Sequence, residues 1–409
     1  MHLSSISHES PLDPSNQRID LIFTTRANRT IRMYFEVKGA QPVSQGAIAD
    51  AACILGASAA FMLKEPYQQD LPVDPMLPRN LRNAFREWAS WRKGTPPARL
   101  DITPRPDPTT ASERPPATLF SGGVDSWHTR LDERFANSLT LSISYQQDRP
   151  DTIAEGFRQL SRLSAVAAEA GAPGAIEVVT NMMIADERLR DAWAFRLHGP
   201  FMAALGHLVS DTISQLGISA SFTYGQTVPW GSHPLVDPLW SSSRLAVSHV
   251  GSAWSRQEKV ERVARSTTAL SYLAVCEHGL AASGPPNCSH CNKCMRTMLA
   301  LDALGVKPED APSFDWSGYT PEMVRKHFIR SRGDRKLLGE VEAYAREHGR
   351  PDIAEAIEAA ARRSRPFMVL TSAERAVRRW VPGVTQHRKR LRGYRERVLK
   401  LIGFTRYNS

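Results

Sequence analysis

Residues 118–126 read Thr-Leu-Phe-Ser-Gly-Gly-Val-Asp-Ser, the stretch that most narrows what this 409-residue chain can fold into. A short apolar strand at 117–120 runs into Ser121-Gly122-Gly123, and a helix opens at Asp125. Glycine adopts backbone conformations that other residues resist, so two in succession let the chain wrap closely around an anion. The N–H groups of such a loop, and of the helix that follows, point at what it wraps. The hydroxyls of Ser121 and Ser126 add donors, while Asp125 fits beside phosphate only if it meets Mg²⁺ or a ligand hydroxyl. The plainer reading is a Gly-Gly turn between strand and helix. No G-x-x-x-x-G-K-[ST] phosphate loop occurs anywhere in the chain.

Strands and helices alternate after this point. Strands are expected at 139–144, 176–180, 218–222 and 245–249, and helices at 125–134, 152–170, 195–216 and 256–265. Such alternation predicts an α/β fold with a doubly wound parallel sheet, whose ligands bind at the carboxyl ends of the strands. Before it, 19–25 and 31–38 read as a hairpin around Ala27-Asn28-Arg29, and 44–63 as an Ala-rich helix. Leu81, Phe85, Trp88 and Trp91 recur at helical spacing within 80–92. Seven prolines fall in 96–116, which predicts an extended linker and a domain boundary. The expected division is a small α+β domain at 1–95, the linker at 96–116, the α/β domain at 117–305 and a helical extension at 306–409.

Cys276, Cys288, Cys291 and Cys294 fall within 19 residues, and the last three have C-x2-C-x2-C spacing. Four thiolates suit tetrahedral Zn²⁺ in a closed structural site. The same spacing opens a bacterial ferredoxin motif, so an iron–sulfur cluster is the rival reading. His278 and His290 are candidate substitute ligands, with exposed loop histidines the plainer alternative. Cys53, among Ala51, Ala52, Ile54 and Leu55, reads as a small core residue.

Ser-Gly-Gly-Val-Asp-Ser at 121–126 resembles the SGGxDS pyrophosphate loop of the N-type ATP pyrophosphatases. Within them the chain looks most like the 7-cyano-7-deazaguanine synthases. Those follow the loop with a Lys-x-Glu helix start, a cysteine, then C-x2-C-x2-C and Arg. Here Arg256-Gln257-Glu258-Lys259, Cys276, the cysteine triplet and Arg296 come in the same order, over 117–300. The departures are Arg256 in place of Lys, an unlike stretch at 223–242, and the added N-terminal domain and tail. The resemblance implies a Rossmann-like adenine nucleotide alpha hydrolase fold. It implies ATP and Mg²⁺ as well as Zn²⁺, with Ser121, Gly122, Gly123, Val124, Asp125 and Ser126 binding nucleotide. Asp125, Arg256 and Lys259 would act in catalysis, the two cations facing the β- and γ-phosphates; a solvated helix end is their plainer role. ATP would be cut between its α- and β-phosphates, a small carboxylate or heterocycle adenylated, and AMP displaced by ammonia or another nucleophile. The built-in glutaminases of the superfamily need Cys at position 2 or a G-x-C-x-G elbow; the chain has His2 and no such elbow.

The loop at 223–242 combines Trp230, Ser232, His233, Asp237 and Trp240 after an expected strand, which suits either substrate binding or rigid packing. His198 opens a long apolar helix and reads as a core or capping histidine. Charge is uneven: 361–409 carries +12, and 1–360 carries −2. Within 388–404, Leu391, Tyr394, Val398, Leu401 and Ile402 share a helical face, with Arg388, Lys389, Arg392, Arg395 and Lys400 around it. That tail suits docking on the body, or an anionic partner such as a membrane surface or RNA, including the tRNA of a modifying enzyme. A non-catalytic, nucleotide-binding role in an assembly is a third reading of the chain. The longest charge-free apolar run, 51–63, is too short to span a bilayer and no secretory signal opens the chain, so the cytoplasm is the expected location.

Overall fold

The computed structural model describes residues 1–9, 16–91, 99–106, 113–276, 286–326, 329 and 332–380. His278 and the amphipathic stretch at 388–404 lie outside the described residues. The chain forms two compact units, Met1–Trp254 and Ser255–Ser409.

The first unit is built on one ten-stranded, mixed sheet. Its N-terminal part holds strands β1 (His2–Glu9), β2 (Gln17–Thr24) and β3 (Thr30–Lys38), then helix α1 (Gln45–Leu63), β4 (Tyr67–Val73), α2 (Leu77–Ser90) and β5 (Leu100–Pro104). Next come β6 (Pro116–Leu119), α3 (Val124–Arg130), β7 (Leu139–Tyr145), α4 (Pro150–Glu169) and β8 (Ala175–Thr180). Helices α5 (Glu187–Ala192) and α6 (His198–Leu208), strands β9 (Gln215–Ser219) and β10 (Ala246–Val250) complete it. The strand order is β10-β9-β6-β7-β8-β3-β2-β1-β4-β5. From β10 to β8 all pairs are parallel. Numbered along the chain, these five strands stand in the order 5-4-1-2-3, so the winding reverses between β6 and β9, where the doubly wound expectation puts a ligand.

The expected partition at 96–116 is corrected by the sheet itself. β3 pairs antiparallel with β8, from Phe35↔Thr180 to Lys38↔Glu177, so the N-terminal strands continue the parallel half. Part of the proline-rich stretch is strand β5, parallel to β4 at the sheet's edge. Proline is tolerated at an edge and at a strand's first position, which accommodates Pro104 and Pro116. The expected helix at 195–216 is also shorter. A π-helical turn, Trp193–Leu197, precedes α6, which stops at Leu208, and β9 starts at Gln215. Ser210, Asp211 and Thr212 interrupt it, residues whose side chains compete for backbone groups; Asp211 accepts the Ser44 N–H at 2.7 Å.

Helix α1 is buried on every side from Ala47 to Phe61. Ser44 caps its start, accepting the Ala47 N–H, and Lys64 closes it in the left-handed region at φ 60°. At 19 residues it is long and apolar enough to cross a membrane, more than the run at 51–63 suggested, but here most of it lies inside the unit against α6 and β4. Gly56 lets the Tyr67 ring lie against the helix, where a Cβ would sit 2.2 Å from it. Phe61, Phe85, Trp88 and Trp240 pack edge-on, tilted or stacked at 5.1–6.2 Å, joining α1 and α2 to the loop before β10. Edge-to-face and stacked pairs of this kind add about 0.5–1.5 kcal/mol each beyond area burial.

The second unit contains α7 (Arg256–Ala264), α8 (Thr267–Tyr272), α9 (Asn292–Ala303), α10 (Arg332–Glu347) and α11 (Pro351–Trp380). α10 lies along α11 and also meets α7 and α9. The cysteine cluster therefore belongs with these helices, not to a domain at 117–305.

Arg105, just past β5, grips buried Asp50 of α1 with two hydrogen bonds of 3.0 and 2.8 Å. Arg105→Met is expected to cost about 3–5 kcal/mol in urea unfolding, because it strands a buried carboxylate. Adding Asp50→Asn should restore part of that loss. Unchanged stability in Arg105→Met would mean that β5 is a mere tether.

Candidate functional site

The loop at 120–126 leaves the carboxyl end of β6 at the point where the winding reverses. Gly122 has φ +73°, the left-handed conformation that the expected turn needs. Gly123 stands at the N-cap of α3, with no side chain over the helix start. The Ser121 N–H donates to Ser126 Oγ at 3.3 Å, and Ser126 Oγ–H donates to the Gly123 carbonyl at 2.9 Å. These two hydrogen bonds fold the loop on itself. Phe120 meets Trp127 edge-on at 5.0 Å, anchoring both ends in the core. Ser121 is exposed, Asp125 half-buried, and Val124 and Ser126 buried.

A second cluster lies on the α6 face of the same unit. Asp237, fully buried, accepts the Ser232 Oγ–H at 2.6 Å and lies 2.7 Å from His249 Nδ1, both through Oδ2. Its Oδ1 accepts the His233 N–H at 3.1 Å. His198 Nε2 accepts the Ser232 N–H at 3.1 Å, and its Nδ1 lies 3.1 Å from the Trp193 carbonyl. That pair of contacts fits the neutral tautomer with the proton on Nδ1. Burial lowers the His198 pKa, as it lowers those of His233 and His207. Glycine is needed at 199 and 231 for this closeness: a Cβ on Gly199 would meet the Gly231 carbonyl oxygen at 2.1 Å. So Ser232, His233 and Asp237 come together as a set, and His198 joins them. His249 is the member that sequence reasoning missed. Its only signal was a histidine near the end of an expected strand.

The two readings of loop 223–242 divide between its tryptophans. Trp240 is core, whereas Trp230 is half-buried and meets Phe195 at 5.5 Å and His198 at 5.7 Å. Phe195, within the π-helical turn, is 58% exposed. A cavity of about 510 Å³ opens beside it, lined by Phe61, Met62, Trp88 and Pro229 with Lys64, Arg188, Arg196 and the carboxylate Asp191. π-Helical turns occur frequently at functional sites.

In the second unit the four sulfurs of Cys276, Cys288, Cys291 and Cys294 lie within 4.8 Å of one another. Cys291–Cys294 is 3.4 Å and Cys288–Cys294 is 3.9 Å. Zn–S bonds of 2.3 Å in a tetrahedron space the sulfurs at about 3.8 Å, so the set can hold a single ion such as zinc. Cys291 caps α9 and Cys294 lies in its first turn, where the helix dipole favours thiolate charge. Ser289 turns the knuckle at φ 60°, and its Oγ accepts the Asp315 N–H at 2.8 Å. Asn287, unremarked in the sequence reading, braces the site. Its Oδ1 accepts the Val275 and Cys276 N–H groups at 2.8 and 3.1 Å, and its Nδ2 donates to the Leu273 and Ser313 carbonyls at 2.6 and 2.9 Å. His290 is outside the sulfur set. Lys259, on α7, is 2% exposed and so no solvated helix end, and the Arg256 N–H donates to Glu340 at 2.8 Å.

Comparison with family models, with curated proteins and with solved structures finds no match to this chain.

Two outcomes are expected. About one Zn²⁺ per chain should be found by elemental analysis, and Asn287→Ala should lose metal to a chelator faster than wild type, since structural metal affinity is folding energy. Stability should fall as pH drops below about 6.5, the ordinary histidine value, because unfolded chains then bind protons that buried His198 and His207 resist. Urea titrations at stepped pH check this, and a flat profile would contradict neutral burial of these rings.

Proposed function

We propose that the chain is an ATP-dependent, adenylating synthase or ligase, of the kind that the N-type ATP pyrophosphatases and 7-cyano-7-deazaguanine synthases represent. One observation carries the reading: a preformed Ser-Gly-Gly loop stands at the carboxyl end of the first strand of a 5-4-1-2-3 parallel half-sheet, beside the reversal point. The finer fold assignment, a Rossmann-like adenine nucleotide alpha hydrolase fold, is part of the same proposal.

In this reading the loop N–H groups receive the β- and γ-phosphates. A substrate carboxylate or heterocycle oxygen bonds to the α-phosphorus as pyrophosphate leaves, and AMP is expelled when a nucleophile attacks the adenylated centre. Loop donors aimed at the developing pyrophosphate charge stabilise it without reorganisation. Bound with ATP, Mg²⁺ supplies charge neutralisation, and Asp125 is the residue that would hold it. The aromatic lining of the cavity beside Phe195 supports a flat small-molecule substrate, and Lys64, Arg188 and Arg196 outnumber Asp191 among the charged groups on its wall. Cys276, Cys288, Cys291 and Cys294 would hold zinc in a structural role.

MgATP should raise the Tm of the intact protein, and pyrophosphate and AMP should form together when a small-molecule cell extract is supplied. Asp125→Ala and Ser121→Ala should abolish both products with little change in unfolding midpoint, because these side chains are not in the core. A well-folded Asp125→Ala protein with unchanged pyrophosphate release would overturn the assignment.

A further inference from the structure

We propose that His249 is the proton acceptor at the carboxyl edge of the sheet, taking the proton of the nucleophile that displaces AMP. The inference rests on the adenylating reading and adds a residue to it.

Strand register supports this placement. His249 pairs with Ile218 of β9, and Gly217 pairs with Thr118 of β6, so His249 is level with Leu119, the last residue of β6. It therefore stands one residue short of the loop along the strands and two strands across. With neighbouring strands about 4.8 Å apart, the backbones are separated by about 10 Å, within the span of a nucleotide.

Its surroundings suit a base. Nδ1 is held by the buried Asp237 carboxylate at 2.7 Å, which fixes the proton on that nitrogen and leaves a lone pair on Nε2. Among the described residues Nε2 has no hydrogen-bond partner, and although the His249 side chain is only 5% exposed, Nε2 itself is not sealed from solvent. The group is not a hydrolase triad: Ser232 donates to Asp237, on the far side of the ring from Nε2. Ser232 and the His233 N–H instead satisfy the carboxylate, making Asp237 a positioning residue.

The step balances. The nucleophile's lone pair bonds to the adenylated carbon, the carbon–oxygen bond to AMP breaks with its electron pair, and the nucleophile's proton passes to Nε2. The imidazolium is stabilised by Asp237 until it sheds the proton to water. Asp237→Asn would place an amide donor against Nδ1 and so move the ring proton to Nε2, removing the acceptor.

The test uses diethyl pyrocarbonate, which acylates accessible neutral imidazole nitrogens, on the full chain with peptide mass spectrometry. With MgATP at about ten times its Kd, roughly one site in eleven stays open. Modification of His249 should then slow about tenfold, while exposed His2 and His8 are modified at unchanged rates. In Asp237→Asn, MgATP binding should persist, ¹⁵N NMR should show the His249 proton on Nε2, and modification of His249 should be lost. MgATP that raises the Tm without protecting His249 overturns this inference and leaves the adenylating reading standing. MgATP that neither binds nor raises the Tm overturns both. The wild-type protection measurement decides the matter even if Asp237→Asn does not fold.

Discussion

The antiparallel ladder between β3 and β8 is the contact on which the first unit depends. Without it β8 would end the parallel half as an open edge, with a row of unpaired backbone groups. The four pairs from Phe35↔Thr180 to Lys38↔Glu177 close that edge and bring the N-terminal strands into the same plane. α1 then has somewhere to go. A helix apolar all round needs cover on every side, and α1 draws it from both parts of the unit: β4, β1 and α2 from the N-terminal part, α6 and α5 from the other. The same burial explains why Asp50 must be paired with Arg105, and why Trp240 reaches back from the loop before β10 to join Trp88 and Phe85.

Much of this was legible in the sequence, and the failures have physical causes. Periodicity located the strands of the parallel half to within a few residues, because buried parallel strands are short apolar runs between turn residues, whereas it overran the end of α6 and missed α5. β1, β4 and β5 escaped notice. β1 (His-Leu-Ser-Ser-Ile-Ser-His-Glu) is mostly exposed and polar, and β4 and β5 contain proline, so none carries an alternating apolar signal. The proline-rich stretch looked like a boundary because composition cannot tell an edge strand from a linker. The division at Trp254/Ser255 left no compositional trace at all.

The sites were legible to different degrees for similar reasons. Four cysteines at close spacing announce themselves, since thiol chemistry is sparse in a chain like this. Asn287 does not, because bracing by a buried amide leaves no pattern beyond one asparagine beside a cysteine. Ser232, His233 and Asp237 were picked out as polar residues in an aromatic loop, but their partner His249 lies in a strand where a histidine reads as ordinary.

Preorganisation is what the loop and the Asp237 cluster share. In the loop, Gly122 already occupies the left-handed region and Ser126 already bridges Ser121 and Gly123, so its ordering cost is met during folding and not at binding. In the cluster, a fully buried carboxylate is satisfied by Ser232, the His233 N–H and His249, which leaves the imidazole little freedom to turn. Both are set by the same sheet. Strand pitch and register, not side-chain flexibility, determine how far the end of β6 stands from His249. A variant that slipped β10 by one residue against β9 would turn His249 to the opposite face, away from Asp237, while leaving the loop untouched. The register of β10 thus separates the two sites' dependence on the fold: the loop needs β6 and α3, whereas the cluster needs β10, α6 and the segment between them.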